Sequence, residues 1–234
     1  MKLGASAGIK LIRYCLNPIA MQKFLLFLCV FLSPRMVFCQ YTDLRTTQHE
    51  VDSILRQFDE VRDFNGRFET LLSIYSTAVE VNPVLIFETG QKLYAIAQKN
   101  KDIVAETAAW SFYGQSYRLT ASYVKALECH HKAIALAEKS GYNSLLSIAQ
   151  NQMAHIYKDR EEFDKAIRLY QLSKKNALLG TNKQLILWPM MNLGAVFLAT
   201  NQLDSSLYYS RQVIEQSTTF NFTRNLPYVI SNIA

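Results

Sequence analysis

Small and apolar residues recur at a fixed spacing of 40 residues along the C-terminal part of the chain. One column contains only glycine and alanine, at Gly114, Ala154, Gly194 and Ala234, and aromatic residues follow its first three members three positions later. Within each unit the apolar positions follow the i, i+3, i+4, i+7 spacing of an amphipathic helix, stop at a short polar turn and resume. Each unit is therefore predicted to fold as two helices.

Short polar segments mark the ends of these predicted helices. They separate the two helices of a unit at 119–122, 159–162 and 200–202, and they separate successive units at 140–141, 180–182 and 221. Gly141 and Gly180 stand where helices commonly end in a left-handed residue, so both are predicted to adopt that conformation.

The column of small residues predicts where two helices approach each other closely. Helices pack tightly only where a side chain is absent or is a methyl group, so Gly114 is expected to face Ala126 across the hairpin. Aromatic residues such as Tyr117 and Tyr123 are expected to fill the space between neighbouring hairpins.

The repeat pattern weakens upstream of residue 107. The spacings within one set of four residues match those within another set 36 positions further on: Ala78, Gly90, Tyr94 and Ala97 correspond to Gly114, Ala126, His130 and Ala133. This predicts a degenerate first repeat, with Pro83 in the first turn of its second helix.

These signals divide the chain into three parts. They are a leader at 1–39, an N-terminal capping helix at 40–66 that ends near Asn65-Gly66, and a solenoid at 67–234. The predicted repeats cover about 71–106, 107–146, 147–186 and 187–226, followed by a truncated repeat at 227–234. Because solenoids usually finish with a polar cap, the sequence is expected to be a fragment whose open C-terminal end self-associates.

The best-defined unit reads Trp110-x-x-Tyr113-Gly114-x-x-Tyr117, followed by Ala126-Leu127 and Ala133. This arrangement resembles the tetratricopeptide repeat, closely over residues 107–180 and more loosely over 187–220. The period departs from the 34 residues of that family. The resemblance implies an all-α, right-handed superhelical solenoid of antiparallel helix hairpins, which binds a protein or peptide in a groove lined by the first helix of each hairpin.

By register with the family, ten residues are expected to face this groove. They are Ser111, Gln115 and Arg118 in one repeat, Asn151, His155, Lys158 and Asp159 in the next, and Trp188, Met191 and Leu198 in the third. This mixture of polar and apolar residues favours an extended peptide over a small anion, and the alternative is a merely solvated inner face. Trp188 and Ile148 stand where the family's chaperone-tail clamp needs cations, which argues against that ligand.

Cys129-His130-His131 is the cluster most suggestive of a metal site. Consecutive helical residues point about 100° apart and cannot converge on one ion, so no metal or cofactor is predicted and His130 is expected to be a packed residue. His155 has no evident nucleophile and third group to form a catalytic set with, so this segment is not predicted to be an enzyme.

The formal net charge of +6 arises mainly from the leader, which contains five cations and no Asp or Glu. The remaining residues contain 20 cations and 19 anions. This balance argues against nucleic-acid binding. An apolar run at 24–32 followed by Ser33-Pro34 is typical of a secretory signal peptide, with cleavage after Cys39 and an alternative start at Met21. Nine apolar residues are too few for a membrane span, so export to the periplasm or cell exterior is expected, with Cys129 the one cysteine remaining.

Two functions fit these features. The first is an exported scaffold that binds a protein or peptide. The second, implied by resemblance to exported repeats of this 40-residue type, is the N-terminal sensing region of a longer bacterial sensor histidine kinase or transcriptional regulator. A membrane association is expected only through a retained anchor or a segment beyond Ala234.

Overall fold

The computed structural model of this chain describes residues 46–78 and 82–220. The chain divides into two compact units, Met1–His49 and Glu50–Ala234, and only residues 46–49 of the first unit are among those described. The predicted leader at 1–39 and the truncated repeat at 227–234 lie outside the described residues and stay predictions.

Every regular element among the described residues is a helix. Residues 46–60 are helical and are called α1. The following α-helices are α2 (Phe64–Ala78), α3 (Pro83–Asn100), α4 (Ile103–Leu119), α5 (Tyr123–Ser140), α6 (Asn143–Asp159), α7 (Phe163–Leu179), α8 (Leu187–Ala199) and α9 (Leu203–Thr219). A 3₁₀ helix at Lys183–Ile186 precedes α8.

Consecutive helices from α3 to α9 pack against each other, and the first helices of successive hairpins, α4, α6 and α8, also contact one another in turn. The hairpins are α4 with α5, α6 with α7, and α8 with α9. The predicted all-α solenoid of helix hairpins is confirmed.

The 40-residue period extends to the first repeat, so the predicted offset of 36 residues was wrong. Second helices begin at Pro83, Tyr123, Phe163 and Leu203, at intervals of 40. Ile86 therefore takes the place of Ala126, and both are fully buried. The sequence misled because the first repeat has a large residue where the later repeats have a small one. The later repeats also begin earlier than predicted, since α4 starts at Ile103 and α6 at Asn143.

The predicted capping helix ends earlier than the Asn65-Gly66 pair suggested. Helix α1 ends at residue 60 and α2 starts at Phe64. The Asp63 side chain accepts a hydrogen bond from the Gly66 N–H at 2.8 Å, as a helix-capping residue does, so Asn65 and Gly66 lie in the first turn of α2. Helix α1 lies beside α3, because Asp52 pairs with Lys92 at 2.6 Å and Asp59 with Lys99 at 3.0 Å.

The two glycines predicted to end helices in a left-handed conformation behave differently. Gly141 does so, with φ 73°, which confirms the prediction for α5. Gly180 has φ −73° and ψ 171°, which is extended backbone, so that prediction was wrong. Gly180 is needed for space instead, because a Cβ there would lie 2.4 Å from the Ser144 hydroxyl.

Gly114 and Gly194 both face the second helix of their hairpin, as predicted. The atoms nearest to a Cβ on Gly114 would be those of the fully buried ring of His130, at 2.5 Å from Nε2. In the last hairpin the Ser206 hydroxyl donates to the Gly194 carbonyl at 2.9 Å, which brings α8 and α9 together at the predicted pair of positions.

Pro189 explains why α8 starts with a 3₁₀ turn. Proline has no N–H, so the α-helical hydrogen bond to the carbonyl of Leu185 cannot form, and the ring would clash with that carbonyl. Residues 183–186 form the tighter helix in its place. None of the helices in the described part of the chain combines the length and apolar character that a membrane crossing needs.

Candidate functional site

The ten predicted groove residues lie on the first helices of three successive hairpins. Helix α4 carries Ser111, Gln115 and Arg118, α6 carries Asn151, His155, Lys158 and Asp159, and α8 carries Trp188, Met191 and Leu198. Because the repeat is 40 residues, Arg118, Lys158 and Leu198 occupy equivalent positions on neighbouring helices. We call this surface the first-helix face.

Polar side chains on the first-helix face are connected from one helix to the next. Arg118 donates to the Gln115 side-chain oxygen at 3.0 Å and forms an ion pair with Asp159, which joins α4 to α6. The Asn192 amide donates to the Asn151 side-chain oxygen at 3.1 Å and contacts His155 Nε2 at 3.0 Å, which joins α6 to α8.

Asn192 was not predicted as a site residue. It lies one position after Met191, and its role depends on the spacing between α6 and α8, which no local pattern encodes. Its equivalent in the preceding repeat is Gln152, 40 positions earlier. The polar residues at these two equivalent positions, Gln152 and Asn192, were the only sequence feature that pointed to a role for Asn192.

His155 is held in its neutral form. Burial, together with the Arg118 and Lys158 cations, keeps the pKa of His155 well below its usual value. Since the Asn192 amide donates to Nε2, the ring proton lies on Nδ1. The imidazole therefore offers one donor and no charge to a bound group.

Three of the predicted groove residues are buried. Ser111 is 1% exposed, Gln115 3% and Asn151 5%. Ser111 is covered by α2, because the Tyr75 hydroxyl lies close to the side chains of Ser111 and Gln152, and the Tyr75 ring stacks on Phe112 with centroids 4.6 Å apart. A partner cannot reach Ser111 while α2 stays in this position.

Helix α2 crosses several of the later hairpins instead of pairing only with its own second helix. The Phe64 ring stacks on Tyr142 at 3.8 Å, and Glu69 accepts a hydrogen bond from the Asn182 amide at 3.0 Å. Arg67 forms an ion pair with Asp102, whose carboxylate also caps α4. Helix α2 thus contacts residues of three successive repeats.

The accessible part of the first-helix face is formed by α6 and α8. Leu198 is 38% exposed, and Trp188, Met191 and Lys158 are half-buried. Asp159 is exposed and pairs with Arg118. This surface offers apolar contact on α8 and polar groups on α6, while the role of all ten residues as partner contacts stays a prediction.

The side chains of the Cys129-His130-His131 cluster do not converge. Burial lowers the pKa of His130 to about 3 and raises the pKa of the Cys129 thiol to about 11, so both are uncharged near neutral pH. His130 is packed, as expected, whereas His131 is exposed. Within residues 46–78 and 82–220, no three His, Cys, Asp or Glu side chains are grouped as a metal ion requires.

The tetratricopeptide repeat family matches residues 106–173 and 145–218 of the chain. These segments coincide with the three hairpins from α4 to α9. Residues 106–218 are tetratricopeptide repeats. Such repeats indicate a protein–protein interaction scaffold, and domains built from them are generally not enzymes. No curated protein matches the chain.

A solved structure with the same kind of fold is the crystal structure of BtubC (BKLC) from P. vanneervenii. Its TM-score to this chain is 0.55, with 14% sequence identity, and the alignment covers 80% of this chain and 81% of that one. At this level of identity the likeness shows the fold alone.

Proposed function

We propose that this protein is a scaffold that binds a protein or peptide partner on the accessible part of the first-helix face. The observation that carries the proposal is the combination of Trp188, Met191 and Leu198 on α8 with the neutral His155–Asn192 pair beside them. Apolar side chains of a peptide pack on the first group, and its backbone hydrogen-bonds with the second.

The distribution of charge limits the chemistry of this partner. Arg118 and Asp159 neutralise each other, and His155 carries no charge. Lys158 is the remaining cation among the predicted groove residues. The face therefore suits a segment with apolar side chains and at most one acidic group, and its contacts do not depend strongly on salt.

Intrinsic fluorescence provides a direct test, because the chain has two tryptophans, Trp110 and Trp188. In a Trp110→Phe background, peptides selected from a random library against the full chain should shift the emission of Trp188. Met191→Ala should then weaken binding about tenfold or more, since central apolar anchors dominate such interfaces.

A matched control lies on α7, the helix that precedes α8 in the chain. Gln171→Ala on α7 should leave the affinity unchanged, since Gln171 is exposed on a second helix. The proposal fails if selected peptides leave Trp188 emission unchanged, or if Met191→Ala and Gln171→Ala have equal effects.

We also propose that the protein is exported, on the basis of the apolar run at 24–32 and its flanking residues. Intact-mass measurement should then find a mature chain that begins at Gln40. The sensing region of a signalling protein is the alternative role for such an exported scaffold. A coding sequence that continues beyond Ala234 into about 20 apolar residues and heptads would favour it.

A further inference from the structure

The charge of the chain is unevenly distributed. From Lys165 to Leu203 the sequence contains five cations and no Asp or Glu. The near balance of 20 cations and 19 anions after the leader includes this interval and therefore conceals it. It covers nearly all of α7 and the whole of α8, so one region of the solenoid is locally basic.

Helix α7 exposes leucines on the same side as its cations. Leu172, Leu178 and Leu179 are 47%, 52% and 61% exposed. Arg168, Leu172, Lys175 and Leu179 follow one another at helical spacings of four, three and four residues, so they lie along one line of the helix surface. We call this line, together with Leu178, the α7 strip.

The fold does not require leucine at these positions. The equivalent residues on α5 are Lys132, Glu138 and Lys139, and those on α9 are Gln212, Thr218 and Thr219. The position of Arg168 is held by Glu128 on α5, and that of Lys175 by Glu215 on α9. At the three leucine positions the neighbouring second helices thus carry polar groups, whereas the remaining equivalents of the two cations are Ala135 on α5 and Tyr208 on α9.

Two cations of the strip are available for an external ligand. Neither Arg168 nor Lys175 has a hydrogen bond or ion pair with another described residue. The other nearby cations are engaged, since Lys174 lies 5.3 Å from the Tyr209 ring and Lys183 donates to the carbonyl of Gly180 at 2.9 Å. The strip therefore combines exposed apolar side chains with two cations that form no ion pair among the described residues.

We propose that the α7 strip binds the surface of a membrane rich in anionic phospholipid. On such a surface the leucines enter the boundary between headgroups and acyl chains, while the long Arg168 and Lys175 side chains reach the phosphates. Lipid would bury the three exposed leucines as well as pairing with the cations, whereas an acidic protein segment would be held mainly by the two cations. The binding is peripheral, and α7 keeps its packing in the solenoid.

Sedimentation with lipid vesicles tests this inference. The full chain should bind vesicles of mixed phosphatidylglycerol and phosphatidylcholine, and binding to phosphatidylcholine alone should be at least tenfold weaker. Raising the salt concentration should weaken binding to the anionic vesicles. Binding that is equal for both vesicle types, or absent from both, would overturn the proposal.

Variants separate the strip from the rest of the chain. Arg168→Glu with Lys175→Glu should reduce binding at least tenfold, since each basic residue near an anionic surface contributes about fivefold. Leu172→Gln with Leu179→Gln should also reduce it severalfold. Lys139→Glu, at the position on α5 equivalent to Leu179, is the control and should have a much smaller effect.

All variants share the same N-terminal residues, so any lipid binding by that segment cancels in the comparison. Circular dichroism should show unchanged helix content, since every substituted side chain is exposed. If charge reversal abolishes binding and the leucine substitutions leave it unchanged, the strip is a site for a polyanion such as an acidic protein, and the membrane proposal is wrong.

Discussion

Adding one methyl group at Gly114 tests the packing between the two helices of a hairpin. A Cβ at this position would lie 2.5 Å from Nε2, 2.6 Å from Cε1 and 2.8 Å from Cδ2 of His130. Because the His130 ring is fully buried, it cannot turn aside into solvent. Alanine replaces glycine favourably in a helix interior by about 1 kcal/mol, but overpacking a tight core costs roughly 1–3 kcal/mol.

The three ring contacts place Gly114→Ala toward the upper end of that cost. We therefore expect Gly114→Ala to lower the free energy of unfolding by about 1–2 kcal/mol. The same substitution at Gly194 should have the opposite sign, because the nearest atom to a Cβ there is the Ser210 hydroxyl at 3.6 Å, an ordinary contact. Gly194→Ala should stabilise the protein by roughly 0.5–1 kcal/mol.

Urea unfolding followed by circular dichroism measures both effects. A second substitution identifies the cause: in a His130→Ser background, which copies the Gly194–Ser210 pair, Gly114→Ala should become neutral or stabilising. If the two alanine substitutions change stability in the same direction, or if His130→Ser does not relieve the loss, the inferred Gly114–His130 contact is wrong.

Three further predictions concern two buried histidines and two residues with positive φ. Acid should destabilise the protein, because the pKa values of His130, about 3, and His155 are lowered in the folded state and the unfolded chain binds their protons more readily. The unfolding free energy should thus fall as the pH drops below about 6.5. Urea titrations at several pH values should show that the slope of the unfolding free energy against pH is smaller in His130→Leu, by the equivalent of about one proton. Gly141→Ala should lower the melting temperature, with a cost of about 1 kcal/mol, because φ is 73° and an alanine is strained there. No atom lies within 4 Å of the added methyl, so no packing contact offsets this strain. Ala121→Gly, at φ 55°, should raise it slightly.

The helix hairpins could be predicted from the sequence because residues of similar size recur at equivalent positions of the repeats. Small and large residues at equivalent positions come together in successive repeats, since Gly114 faces His130 and Ala154 lies in one core cluster with Tyr170. The first repeat was placed four residues out of register because Ile74 occupies the position of Gly114 there, and Gly90 occupies the position of His130 and Tyr170. An alignment of the repeats by their small residues alone therefore displaces the first repeat by four positions.

The candidate site was harder to predict than the fold. The register placed all ten residues on the correct helices, yet it could not show that Ser111 and Gln115 are covered. Helix α2 has the amphipathic pattern of an ordinary first helix, and this pattern does not specify which surface its apolar side packs against. The Asn192 contacts also depend on the distance between two helices, which arises only from tertiary packing.

Whether α2 can leave the first-helix face decides how large the binding site is. Phe68, Leu71 and Ile74 of α2 are essentially fully buried, and burying each such side chain contributes roughly 1.5–3 kcal/mol, or about 5–9 kcal/mol together. A partner with micromolar affinity provides only about 8 kcal/mol in total, so displacing α2 would consume most of its binding energy. We therefore expect α2 to remain in place when a partner binds, with amide hydrogen exchange at Leu71–Tyr75 about as slow as in α4, both in the free protein and in the complex. Rapid exchange confined to α2 would contradict this reasoning, and Ser111 would then become an accessible part of a larger groove.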